Sequence, residues 1–199
     1  TVTGLSTLHV TGTTVVNTSI ITSSGTQTYG GAVTLNTDVT LTGSTITTLW
    51  TVDGNGNDLL VSGNAVFGNA PGDTVTDLAT LHVTGTTTIN TSNITSSGTQ
   101  LYDGAVTLGA DTTLTGSTIT TLGTVAGAGH SLTVDGNAIF GDQVGDTVTG
   151  LSTLHVTGTT VVNTSTITSS GTQTYDSTVT LNTDVTLTGS TVTTLGVVL

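Results

Sequence analysis

Leu8-His9-Val10-Thr11-Gly12 returns as Leu81-His82-Val83-Thr84-Gly85 and as Leu154-His155-Val156-Thr157-Gly158, at positions 8, 81 and 154 with no insertion or deletion between copies. The flanking residues keep the same 73-residue period: Thr1-Val2-Thr3 becomes Thr74-Val75-Thr76 and then Thr147-Val148-Thr149. A fixed period of this length marks a repeat array, in which each unit buries its apolar side mainly against its neighbours. The units are residues 1–73, 74–146 and 147–199, the last incomplete, and together they read as one continuous solenoid.

Inside each unit, short runs such as Leu8-His9-Val10, Val33-Thr34-Leu35, Val39-Thr40-Leu41 and Ala65-Val66-Phe67 alternate apolar and polar residues between Gly, Asn, Asp and Ser. That period-two pattern is the mark of half-buried strands, and no window carries an amphipathic helical stripe. Hairpin turns of the Asn-Gly type are too sparse for so many antiparallel strands. The sequence therefore predicts an all-β fold, a parallel β-helix (β-solenoid) with three to four coils per unit. Coils of roughly 18 to 25 residues suit the recurring landmarks. Stacking at about 4.8 Å, roughly 8 to 11 of them make a rod about 40 to 50 Å long. Val, Leu, Ile, Ala and Phe should point inward, with Thr, Ser, Asn and Asp outside.

The chain has no Lys or Arg, and its 12 acidic residues are all Asp, giving a formal net charge of -12. Nucleic acid would meet repulsion with no cationic contact to offset it, and a polybasic membrane anchor is excluded. No stretch is long and apolar enough to span a bilayer, so no direct membrane insertion is expected. With 0 Cys, stability must come from packing and backbone hydrogen bonds. Both ends look like the middle of the array. Their strand edges are expected to be covered by continuation of the same long chain or by end-to-end self-association.

Gly25-Thr26-Gln27-Thr28-Tyr29 and Gly171-Thr172-Gln173-Thr174-Tyr175, with the fuller Gly98-Thr99-Gln100-Leu101-Tyr102-Asp103-Gly104-Ala105-Val106-Thr107-Leu108, resemble the YDG-type repeats of filamentous-haemagglutinin-like bacterial surface exoproteins. The resemblance covers essentially the whole chain. It implies a large secreted or surface-tethered adhesin with a right-handed β-helical shaft, an extracellular location, and host or surface glycans as possible contacts. The first and third copies depart from the motif at Gly30-Gly31 and Asp176-Ser177. The secretion-directing N-terminal domain of that family has no counterpart in these residues, so the resemblance concerns the shaft.

Candidate chemistry is sparse. Asp53-Gly54-Asn55-Gly56-Asn57-Asp58 looks like a calcium-binding nonapeptide turn, with Asp53, Asn55, Asn57 and Asp58 as the candidate ligands; its counterpart, Ala126-Gly127-Ala128-Gly129-His130-Ser131, loses both acids. No other cofactor is indicated. His9, His82 and His155 recur once per unit, too far apart to share an ion, and read as solvent-facing. Asp38, Asp111 and Asp184 read as single turn-shaping acids rather than a catalytic pair. Asn17, Asn90, Asn93 and Asn163 begin glycosylation sequons. Tyr29, Tyr102 and Tyr175 recur once per unit while Trp50 gives way to Gly123 and Gly196, and aromatics this sparse read as core plugs or corner residues rather than a carbohydrate-stacking platform.

The Thr-x-Thr elements beginning at Thr1, Thr11, Thr26, Thr40 and Thr45 are spaced unevenly, which argues against one file on every coil. These features point to a non-enzymatic structural segment of an extracellular adhesin or surface fibre. An ice-binding solenoid and an inert subunit of an extracellular or viral fibre are the alternatives.

Overall fold

The structure, a computed structural model, describes residues 1–199 and contains strands but no helix. All 26 strands join one sheet, and every pairing is parallel. About ten coils stack into a β-solenoid, as the sequence predicts. Strands pair with those a full coil away, in most cases 19 or 20 residues on, as Leu8 with Gln27, Gln27 with Ile46 and Ile46 with Ala65, and 18 at the bulges, as Leu5 with Ser23, Leu78 with Ser96 and Leu151 with Ser169. The step lengthens to 22 or 23 residues where Ala65 pairs with Thr87 and Val125 with Val148. Corner loops at residues 68–73 and 141–146 take up the difference, so the ladder keeps its inward and outward alternation.

Each coil has three sides. The first coil lays Val2–Leu5 on side A, Leu8–Val10 on side B and Thr14–Val16 on side C; Ile20–Ser23 then returns to side A. Two long strands, Val39–Thr48 and Leu59–Phe67, turn a corner without a loop and cover sides A and B together. Gly63 makes the bend at φ 143, and a Cβ there would run into the Gly43 carbonyl. Gly136 repeats the arrangement over Gly116, at φ 145.

Counting these bends, one unit holds eleven side-lengths of strand, which is three coils and two thirds. Successive units therefore start one side apart. The column through Val2, Ile21, Leu41 and Val61 continues into Val83, on the second strand of the next unit, while Val75 on its first strand sits over Val52 of side C. Equivalent residues of neighbouring units are thus turned by a third of a revolution.

A single core of 37 buried residues runs up the axis. At about 25 cal/mol per Å² of apolar surface, this column is what offsets chain entropy in a molecule with no disulfide. The largest side chains stack with a spacer: Tyr29, Thr48 and Phe67 occupy consecutive coils on side B, and Tyr102, Thr121 and Phe140 do so on side A. The small Thr between two rings fits the aromatic bulk within the coil spacing.

Candidate functional site

The interior holds one polar constellation per unit. Gln27 is fully buried, and its Nε2 donates to the Ile21 carbonyl at 3.1 Å and to the Thr42 carbonyl at 2.8 Å, tying two coils together at a corner. Tyr29 donates its hydroxyl to Gln27 Oε1 at 2.8 Å. Gln100 with Tyr102, and Gln173 with Tyr175, repeat the arrangement. Burial pushes the Tyr29 hydroxyl up to about 12 and raises those of Tyr102 and Tyr175 further. Of the two places the sequence left open for them, core or corner, the tyrosines take the core. The glutamines, each two residues before a Tyr, were legible only as part of the motif, because a polar residue at an inward position does not read as core.

On the outside, the three recurring histidines stand on different sides: His9 over Thr28 on side B, His82 between Leu60 and Leu101 on side A, His155 between Thr133 and Thr174 on side C. They are outward-facing but not all solitary. His82 Nε2 lies 2.9 Å from Asp103 Oδ2, and His155 Nε2 lies 2.8 Å from Asp176 Oδ2, each acid standing one coil on. Gly30 takes the place of Asp103 in the first unit, which leaves His9 without that partner. Asp38 and Asp111 accept the backbone N–H of Asp58 and Ser131, a turn-shaping role that matches the reading of these acids.

The proposed calcium turn is bound up in its own hydrogen bonds. Asp53 Oδ1 accepts from the Asn55 N–H, Asp58 Oδ1 accepts from Thr80 Oγ1, and Asn57 Nδ2 donates to the carbonyls of Leu35, Gly54 and Asn55. Asp53, Asn55 and Gly56 line a shallow groove with Asp77 and Thr95. Nowhere do three or more His, Cys, Asp or Glu gather as a metal site. Of the sequon residues, Asn90 and Asn163 commit their Nδ2 to the carbonyls of Gly68 and Gly141, whereas Asn17 is exposed and Asn93 faces outward on side C. Trp50, 58% exposed, stands at the corner after Val39–Thr48.

The Thr-x-Thr elements sort differently from their linear spacing. The five named above do scatter, with Thr40 on side A and Thr26 and Thr45 on side B. Side B nevertheless collects a file, in which the elements at Thr26 and Thr45 are joined by others from elsewhere in each unit. Flanking its inward column, Thr26/Thr28, Thr45/Thr47, Thr86/Thr88, Thr147/Thr149, Thr166/Thr168 and Thr186/Thr188 form complete pairs. Ala105/Thr107 and Thr124/Ala126 are half-complete, and Asn64/Val66 lacks both hydroxyls. Sides A and C interrupt their files with Leu60, His82 and Leu101, and with Asp53, Asp135 and His155.

Comparison with family models, curated proteins and solved structures returned no match to this chain. No helix is long and apolar enough to cross a membrane.

Proposed function

We propose that this chain is a non-enzymatic length of shaft from an extracellular bacterial adhesin or surface fibre. The observation that carries the reading is the single parallel ladder joining all 26 strands. It lets load pass from coil to coil through backbone hydrogen bonds, which make up nearly all of the 127 backbone–backbone bonds in the chain. The resemblance of the Gln-x-Tyr segments to YDG-type exoprotein repeats supports a surface location. The lack of Lys and Arg removes every trypsin site, which suits exposure to proteases.

The shaft would be continued by more of the same chain or by end-to-end stacking of copies. Weak contacts with surface glycans could add along it by effective concentration. Antibodies raised against this segment test the reading. They should label filaments on intact cells, and deleting one 73-residue unit from the parent gene should shorten those filaments by about 18 Å, three and two-thirds coils at about 4.8 Å each. Labelling confined to the cell interior would overturn it.

A further inference from the structure

We infer that side B binds the surface of ice. Its outward positions over nine consecutive coils hold fourteen threonines in eighteen places, in two parallel columns. Rows recur about 4.8 Å apart along the axis, and the two columns stand about 6.7 Å apart along each strand. That rectangular mesh approximates the spacing of oxygen atoms on exposed planes of hexagonal ice.

Three further properties suit frozen water rather than another occupant. Thirteen of the fourteen hydroxyls make no hydrogen bond within the protein; Thr168 alone accepts one, from the Gly150 N–H at 3.3 Å. They are free to take lattice positions while the methyl groups seat between them. None of the twelve aspartates stands in this file, so no ion holds a competing hydration shell there. Threonine is stiff at χ1, and in every row but the last, Thr186/Thr188, the backbone beneath is fixed by ladders on both sides, so little side-chain entropy is lost on contact. The file is broken by uncharged residues at Asn64/Val66, Ala105 and Ala126, and its register shifts once, between Val148 and Leu151.

The inference does not rest on the adhesin reading, since an isolated length of shaft would show it. The test uses the 199-residue chain itself, with thermal hysteresis and partition into a growing ice hemisphere as readouts. Thr88→Tyr and Thr107→Tyr raise a bulky ring from the middle of side B, and Thr113→Tyr places the same ring on side C. Circular dichroism melts check that each variant is folded. The parent should shape ice and concentrate in it, the side B variants should lose that partition on the order of tenfold, and the side C variant should keep it. Absence of ice enrichment in the parent, or equal loss in all three variants, would overturn the proposal. So would a concentration-dependent dimer abolished by the side B variants in a parent that ignores ice, which would assign the face to a second copy.

Discussion

The turn at Asp53–Asp58 and its counterpart at 126–131 occupy the same place in successive units with different chemistry. Asn55 and Gly56 have φ of 49 and 76, and Ala128 and Gly129 have φ of 51 and 89. Asp-Gly-Asn-Gly thus becomes Ala-Gly-Ala-Gly with the path unchanged. What holds both turns is the coil beyond: Gly56 N–H donates to the Asp77 carbonyl and Gly129 N–H to the Gly150 carbonyl, both at 2.7 Å. The outer side chains are free to vary because the backbone ladder and the interior dictate the shape.

If interior and ladder dictate shape, the most damaging change lies at a corner both units share. Gly136→Ala, like Gly63→Ala, should cost about 3 kcal/mol or more, by forcing a side chain into the carbonyl of the neighbouring coil, and calorimetric melting would measure it. Equal costs in both units would sharpen the comparison, while a silent Gly136→Ala would break it.

Gln100→Leu should cost about 2 to 3 kcal/mol in denaturant titration, since it strands the Ile94 and Thr115 carbonyls and the Tyr102 hydroxyl inside the core. The buried phenols also set an alkaline limit. Tyr29 stays neutral in the fold up to about 12 while an unfolded tyrosine ionises near 10.0, so the unfolded state gains from pH 10.0 upward. Stability should be unaffected by Tyr29 below that pH and should fall between 10.0 and about 12, together with the ultraviolet signature of tyrosinate.

A smaller change should run the other way. Thr87 and Thr160, equivalent residues in successive units, bury hydroxyls with no partner. Thr160→Val keeps the shape, removes the stranded group and should stabilise by about 1 kcal/mol. The smallest effect belongs to the turn itself. Asp58→Ser, the residue of the second unit, should shift stability by no more than about 0.5 kcal/mol, and added calcium should leave the parent's melting temperature unmoved. A calcium-dependent rise in the parent, lost in Asp53→Ala, would restore the cation reading.

The parallel coil was legible because Val33-Thr34-Leu35 and its relatives alternate so strictly. The number of sides was not. Val39–Thr48 and Leu59–Phe67 each round a corner at a glycine inside a strand, so counting by turn residues misses two sides per unit. The His82–Asp103 and His155–Asp176 pairs span 21 residues and become visible only once the coil length is known. The file on side B escaped for the same reason. Thr28, Thr47, Thr88 and Thr107 come from non-equivalent parts of the repeat and meet only when wound.

Eleven side-lengths per unit on a three-sided coil also make heading depend on gene length. Near-identical tandem copies invite recombination that adds or removes one unit. Each such event would move everything distal along the axis and swing it to a new azimuth, and only a change by three units would restore the original bearing. Copy-number variants of one such array would therefore fall into three classes by the bearing of the coils beyond the change.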